Sequence, residues 1–265
     1  MTALPLTGLL IGSRRSFRLV ERNLLVYKHG WLVILSGFFE PLFYLLGIGF
    51  GLGALIGTIT GPGGQEIPYQ LFVAPALLAS SSMNGAIMES TFNFFFKLNY
   101  NKTFTSILST PLSPGDVAVG ELLWALIRGG LYAIGFMIVM VALGLVVSPW
   151  VVLAVPAALL VGFAFGAVGM AATSFMKTWQ DFDLIQLVIL PLFLFSATFY
   201  PIETYPDVLR VIVQLTPLYQ GVDLIRSLTV GAISPILLFH VAYLLLMGVV
   251  GLYVVSRRLD KLLLR

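Results

Sequence analysis

The sequence predicts an all-α polytopic membrane protein: six transmembrane helices, an N-terminal amphipathic interfacial helix, and a re-entrant outer hairpin between spans five and six. Three observations carry this expectation. The 265 residues are 58% hydrophobic and 10% charged, against roughly 45–50% and about 25% in soluble domains, and the mean hydropathy is +0.98. So little charge cannot solvate a surface of this size. Apolar runs of spanning length recur, since a helix crossing a core of about 30 Å needs about 20 residues at roughly 1.5 Å each. Positive charge gathers between alternate runs, as the positive-inside rule requires. No internal repeat or low-complexity tract divides the chain, so 1–265 reads as a single transmembrane domain.

The N-terminal arm comes first. "MTALPLTGLLIG" is apolar, but its basic residues follow the run, the reverse of a signal peptide. "SRRSF" resembles a twin-arginine signal, yet Arg18, Glu21, Arg22 and Lys28 interrupt the apolar core such a signal needs. Phe17, Val20, Leu24 and Tyr27 recur at spacings of three, four and three, with Arg14, Arg15, Arg18 and Arg22 mostly opposite. That pattern suits a helix lying in the headgroup layer; the plainer alternative is a positive flank of the first span.

The expected spans are 31–57, 70–96, 117–147, 150–176, 184–200 and 233–255. With six spans, the arm, Lys97 and Lys102, Lys177, and the tail with Arg257, Arg258, Lys261 and Arg265 share one side. The other side has only Arg210 and Arg226. Both termini are therefore expected in the cytoplasm, which accounts for the pI of about 9.2 without nucleic acid. On the outer side, "TGPGGQEIP" and "VSPW" are turns. After the fifth span, apolar pieces 208–215 and 218–228 are split by Thr216-Pro217. Each is too short to span and reads as interfacial or re-entrant.

The segment "KLNYNKTFTSILSTPLSPGDVAVGELLW" interrupts the apolar runs. Tyr100, Phe104, Ile107 and Leu108 stand at i, i+4, i+7 and i+8, one stripe of a helix, with Lys102 among the polar remainder. Pro111 ends it, Pro114-Gly115 turns the chain, and Asp116 is placed near the N-cap of the next span. A helix of about ten residues is marginal alone in water and needs a surface: its own membrane face or a partner outside the membrane.

Four charges fall in or near spans: Glu40, Glu89, Glu121 and Arg128. A mid-bilayer charge costs about 2.5–3.5 kcal/mol on the insertion scale. Arg128 lies ~16 Å into its span and is expected to pair with a glutamate of a neighbouring span. Such groups serve as a proton relay, a substrate contact or a helix-locking ion pair. Glu40-Pro41 is a candidate kink. Aromatics cluster as Phe38, Phe39, Phe43 and Tyr44, as Phe92 with Phe94, Phe95 and Phe96, and as Phe193, Phe195, Phe199 and Tyr200. The 94–96 group is expected at a membrane interface. Gly162 and Gly166 suit close helix packing. There is no cysteine, hence no disulfide or thiolate site. His29 and His240 are too few for a convincing metal site, and no nucleophile–base motif is present.

"LSTPLSPGDVAVGELLWALIRG" resembles the cytoplasmic loop and third span of the permease subunits of type-2 ABC exporters. That family includes exporters of lipo-oligosaccharide nodulation factors, O-antigen and teichoic-acid polymers, and some drugs. "LPLFLFSATFYPIETYPDVLRVIVQLTPLYQGVDLIRSL" is similar to its fifth-span signature, with Phe195, Ser196, Phe199, Pro201, Pro206, Pro217, Leu218, Asp223 and Arg226 in the matching places. Ala197-Thr198 departs from the Gly-Thr or Gly-Xaa of many members, which bears on local helix packing.

The resemblance implies a set of parts. The 100–108 piece, through Tyr100, Lys102, Phe104, Ile107 and Leu108, would be the coupling helix docked on a cytoplasmic ATPase. On that basis Phe104→Asp is expected to abolish coupling and leave the fold intact. The N-terminal helix would be a second contact or gate. Phe38, Phe39, Phe43, Phe195, Phe199 and Tyr200 would line the translocation path, and Pro217, Asp223 and Arg226 would belong to the outer hairpin. Partners would be a cytoplasmic ATP-binding subunit and a second permease copy or a homologous permease, in the bacterial inner membrane. The chain has no G-x-x-x-x-G-K-[ST] loop. It is therefore expected to be no enzyme and to carry no cofactor, with ATP and magnesium on the partner. The implied function is a permease domain for a lipid-linked, polysaccharide or drug-like substrate. The alternative is a proton-coupled secondary transporter using Glu40, Glu89, Glu121 and Arg128; a third reading is a scaffold without transport. A secondary transporter has no need of a docking helix.

Overall fold

The structure is a computed structural model and describes residues 15–28 and 39–264. In chain order the helices are α1 (Ser16–Tyr27), α2 (Phe39–Ile56), α3 (Tyr69–Tyr100), α4 (Thr103–Ile107), α5 (Pro114–Ala142), α6 (Pro149–Thr173), α7 (Phe182–Phe195), α8 (Asp207–Leu215), α9 (Pro217–Val230) and α10 (Ile236–Leu263). Among them α2, α3, α5, α6 and α10 are long and apolar enough to cross a membrane. The fold is that of an all-α polytopic membrane protein. Of the first expected span, residues 31–38 lie outside the described residues, as does His29.

Gly57, at φ +75, ends α2, where a side chain would be strained. The "TGPGGQEIP" turn then closes an antiparallel ribbon of β1 (Thr58–Thr60) and β2 (Glu66–Pro68), with Ile59 opposite Ile67. Ser113 opens α5 with a capping box: its hydroxyl accepts the Asp116 N–H at 3.1 Å, and the Asp116 carboxylate accepts the Ser113 N–H at 3.0 Å. The cap is thus Ser113, and Asp116 sits one turn in. Thr178 and Asp181 repeat the device before α7, where N–H groups of Lys177 and Thr178 hold the Asp181 carboxyl below the usual carboxylate range.

The fifth expected span, 184–200, is corrected by the structure. Its helix, α7, has 14 residues, or roughly 21 Å, short of a core of about 30 Å. The chain leaves the helix at Ser196, and Ala197 takes φ +53. The physical reason is a set of side chains that satisfy the broken backbone. Arg226 of α9 donates to the Ala197 carbonyl at 2.7 Å and the Phe72 carbonyl at 3.0 Å, with its guanidinium 3.7 Å from the Phe72 ring centroid. Tyr69 donates to the Phe199 carbonyl at 3.2 Å. The pieces α8 and α9 follow, bent by 85° at Thr216-Pro217, with the Thr216 hydroxyl accepting the Tyr219 N–H at 3.4 Å. Only α8+α9 counted as one bent unit raises the long crossings from five to six.

At the centre, α6 packs against α3, α5, α9 and α10. The α6–α10 crossing is a backbone contact. A Cβ on Gly251 would lie 2.7 Å from the Val168 nitrogen and 2.8 Å from the Ala167 carbonyl carbon, the close approach that small residues permit in a bilayer. Phe94 and Phe95, expected at an interface, are fully buried; Phe94 packs on Phe104 at 5.0 Å between centroids. At the rim the packing thins. No residue of α7 is buried.

Gly251→Leu is expected to lower the thermal unfolding midpoint of the detergent-purified protein, with a cost of about 1–3 kcal/mol or more for overpacking. Gly47→Ala, where nothing among the described residues lies within 4 Å, should leave the midpoint unchanged.

Candidate coupling and translocation site

The 97–116 segment folds differently from the expected ten-residue helix. Tyr100 closes a π-helical stretch, Phe96–Tyr100, and Lys102 adopts φ +48, so α4 has only five residues. That left-handed residue breaks the stripe. Tyr100 stays exposed and stacks on Phe96 at 5.1 Å. Phe104 points inward and is fully buried, clustered with Leu19, Phe94, Val117 and Leu259, with Ile107 and Leu108 half-buried against them. The expectation that Phe104→Asp spares the fold is therefore overturned, since a buried unpaired charge is strongly destabilising. The open face is polar: Asn101, Lys102, Thr105, Ser106, Ser109 and Thr110.

The N-terminal helix turns the face opposite its apolar stripe to the protein. Ser16, Leu19 and Asn23 are buried, and Phe17 and Leu24 are 54% and 61% exposed. Polar partners on the 111–121 stretch draw this face inward. Arg15 donates to the Pro111 carbonyl at 2.9 Å, Ser16 to Asp116 at 3.3 Å and Asn23 to Glu121 at 3.3 Å. Gly120 lets α1 approach: a Cβ there would lie 2.5 Å from Leu19 Cδ1. Val20 and Arg22 are half-buried, and Arg18 pairs with Glu21 at 2.9 Å. Arg14 lies outside the described residues.

Three of the four expected intramembrane charges meet in one buried network. Arg128 Nη1 is 2.6 Å from Glu89, and its Nε donates to the Tyr132 hydroxyl at 3.0 Å. Lys97 lies 2.5 Å from Glu121 and 3.6 Å from Glu89. Asn93 donates to Glu89 at 2.7 Å and to the Tyr27 hydroxyl at 3.2 Å. Burial first, and the Glu89 carboxylate next, push the Tyr27 phenol up to about 12. Glu89–Asn93 is a π-helical stretch, which widens the helix where these groups face inward. Two carboxylates and two cations cancel. Glu121 and Arg128 sit roughly 10 and 21 Å along α5, so the network climbs into the bundle. Sequence reasoning missed Lys97, Asn93, Asn23 and Tyr27 as members; the available signal was Lys97 at i+8 and Asn93 at i+4 from Glu89.

The network forms one wall of a cavity of about 850 Å³ between α2, α3, α5 and α7. Tyr27, Arg128 and Tyr132 line it on that side, with Glu40, Asn84, Gln186, Tyr44, Phe92, Phe182 and Phe193 around the rest. The rings touch in two groups: Phe92–Phe182 at 5.4 Å, and Tyr44–Phe193 at 5.4 Å with Phe193–Phe199 at 5.3 Å. Of the expected path aromatics, Phe199 is buried behind Phe193, whereas Phe39, Phe43, Phe195 and Tyr200 face outward. Phe38 lies outside the described residues. In the hairpin, Asp223 meets His240 of α10 at 3.0 Å, and Pro217 opens α9.

A bundle of membrane-crossing helices hollowed by a polar, aromatic-lined cavity, with a polar docking-sized segment at one end, is the membrane subunit of a transporter. The chain belongs to the ABC-2 type transporter family, whose profile matches residues 15–230. It is similar to proteins named Nodulation protein J. That of Rhizobium leguminosarum bv. trifolii is 31% identical over 269 residues, covering 100% of both chains. That of Rhizobium leguminosarum bv. viciae is 32% identical over 249 residues, covering 92% of this chain and 93% of the relative. That of Sinorhizobium fredii is 31% identical, covering 92% of each. The family is one of transport subunits, multi-pass in the membrane, and implies an ATP-binding partner.

Breaking the buried pair should be costly in one direction only. Arg128→Met alone is expected to destabilise by about 3–5 kcal/mol, because two buried carboxylates are then left to share the one cation of Lys97. Adding Glu89→Gln should restore much of that loss. A double-mutant cycle on denaturant unfolding in detergent micelles checks this; additive losses would refute the coupling.

Proposed function

We propose that this chain is the permease that forms the translocation path of an ABC exporter in the bacterial inner membrane, with cytoplasmic termini. It works beside a second copy or a homologous permease. A separate ATPase subunit, which carries the ATP and magnesium, docks on the polar face of the 100–111 segment. One observation carries the reading: a line of hydrogen bonds and ion pairs, carried along α1 between Ser16 and Asn23, runs from that segment to the cavity. It passes from Pro111 and Asp116 to Arg15 and Ser16 of α1, through Asn23 to Glu121, and by Lys97 to Glu89 and Arg128 at the cavity wall. A displacement of the docked segment thus has a stiff route to the path.

The substrate reading is a lipid-linked, polysaccharide or drug-like molecule. Ring faces with amides and hydroxyls, and Glu40 as an added carboxylate, suit a hydroxylated or amphiphilic guest better than a small ion. The nodulation name of the relatives favours the lipo-oligosaccharide branch of the resemblance. Glu89 and Glu121 each face a cation, which favours anchoring over the proton-relay alternative.

Affinity purification from native membranes with mass spectrometry tests the partnership. Stoichiometric recovery of an ATPase with a phosphate-binding loop is expected, and recovery of the chain alone in mild detergent would overturn the reading. Ser106→Arg, on the open face, should cut ATPase recovery about ten-fold with the fold retained. Phe104→Asp should instead lose folded protein, since it buries a charge at a cost of several kcal/mol.

A further inference from the structure

His240 is the one histidine among the described residues, and the coupling line does not pass through it. It stands on α10, roughly 6 Å from the helix start, and is only 3% exposed. Both of its ring nitrogens face α9. Nδ1 meets the Gln220 side-chain oxygen, and Nε2 lies 3.0 Å from Asp223 Oδ2. The Gln220 amide is fixed in that orientation, because its nitrogen donates to the Gln214 carbonyl. An amide oxygen only accepts, so Nδ1 carries a hydrogen. An ionised carboxylate also only accepts, so Nε2 carries one as well.

Two ring N–H groups make an imidazolium. The same bonds form if the second proton sits on Asp223 and is donated to a neutral ring. In either form His240 and Asp223 share one proton and are neutral as a pair. Without that proton, the Nε2 lone pair faces a carboxylate that has lost its donor, an arrangement that costs free energy where water is scarce. Histidine is the side chain that exchanges a proton between about pH 5 and 8. Asp223 is 24% exposed, so water reaches the pair from its side.

The surroundings supply no substitute donor or second titration near neutral pH. On α9, Arg226 donates to the Phe72 and Ala197 carbonyls, and Tyr219 and the preceding Glu203 are the other groups acting on it besides Asp223. Tyr243 of α10 donates to the Leu215 carbonyl at 2.9 Å. Arg210 of α8 lies 3.6 Å from Asp207, Tyr69 of α3 donates to the Phe199 carbonyl, and Glu66 of β2 accepts from Thr60. α6 has no titratable side chain. Those of α5 and the rest of α3 belong to the Ser113 cap, the charge network or the 96–100 stretch. Tyr253 and the charges beyond it on α10 lie roughly 20 Å or more along the helix.

We propose that His240 is a proton-dependent latch between the α8–α9 hairpin and α10. With the proton in place, α9 is tied to α10 at both Gln220 and Asp223. When the proton leaves, the Asp223 tie is lost and the Gln220 tie remains. The tie from α9 to α3 does not change, because an arginine keeps its charge. Rising pH therefore loosens the hairpin from α10 and not from α3. The latch goes beyond the exporter reading and does not depend on it.

The test uses the full-length protein in detergent micelles with His29→Gln, which leaves His240 as its one histidine. Thermal midpoints are measured from pH 5.5 to 8.5, alone and with Asp223→Asn or His240→Gln added. The amide introduced by Asp223→Asn can itself donate to a neutral ring, and the one introduced by His240→Gln does not titrate. Relative to either variant, the midpoint of the parent is expected to fall by about 2–4 °C as pH rises. Hydrogen exchange of peptides covering 215–224 should quicken at least three-fold over the same range, again relative to the variants, while peptides covering 72–80 should not. With ring-labelled histidine, nitrogen NMR should pass from two protonated ring nitrogens to one. A parent-minus-variant difference that is flat or rises with pH overturns the latch. So does a ring with one protonated nitrogen throughout, unless Asp223 holds the proton, in which case its carboxyl stretch in infrared spectra must vanish over the same pH range. Each variant serves if the other fails to fold, and the ring spectrum decides if both do.

Discussion

The structure depends on one electrically neutral knot. Glu89 and Lys97 on α3 and Glu121 and Arg128 on α5 sit where isolated charges are expensive. They are stable there only as a set, with Asn23 of α1 donating to Glu121 and Asn93 to Glu89. Apolar helices can slide past one another with little change in contact energy. These three cannot, because a displacement of one turn would leave a carboxylate without its cation in a medium of low dielectric. The knot therefore permits few relative positions of α1, α3 and α5.

The other half of the molecule is held quite differently. α6 and α10 touch through backbone at Gly251, and α9 is pinned by Arg226 to two carbonyls. Outside this frame α7 has no buried residue, and α2 buries only Pro41, Leu45, Gly49 and Gly53. Low packing marks the elements that move most cheaply. The cavity lies between the latched helices and these two loose ones, so the walls most able to separate are α2 and α7. The short length of α7 follows from the same arrangement. Arg226 satisfies the carbonyl of Ala197, and this allows a helix to stop inside protein without an unmet backbone group.

The fold class was legible because hydropathy reports the solvent directly. Long apolar runs, proline turns and the split at Thr216-Pro217 need no tertiary information. The charges in α3 and α5 were visible as anomalies for the same reason. What escaped was direction. Periodicity placed Tyr100 and Phe104 on one stripe, but Lys102 at φ +48 turns the chain between them. In α1 the stripe of Phe17 and Leu24 stays exposed, and what escaped was the other face, where Ser16 and Asn23 answer Asp116 and Glu121 some 100 residues away. The π-helical stretches at Glu89–Asn93 and Phe96–Tyr100 shift every side chain beyond them relative to an α-helical count. The first of these stretches precedes Phe94 and Phe95, whose rings are buried in the bundle.

The brevity of α4 bears on how coupling would work. Five residues span roughly 7.5 Å, too little for a lever that rotates independently. The segment is instead fastened at three points. Phe104 is buried beneath it, the Ser113–Asp116 cap joins it to α5, and Arg15 holds the Pro111 carbonyl. A force on its open face would be passed on as a rigid translation of α5 and α1 together, since bending at any one fastening would first expose a buried ring or strand a hydrogen bond. α5 carries Glu121 and Arg128 with it, so the same translation strains the ion pairs to α3 at the cavity wall. On the exporter reading, the charge network is where a push from outside the membrane becomes a choice between two positions of the path-lining helices.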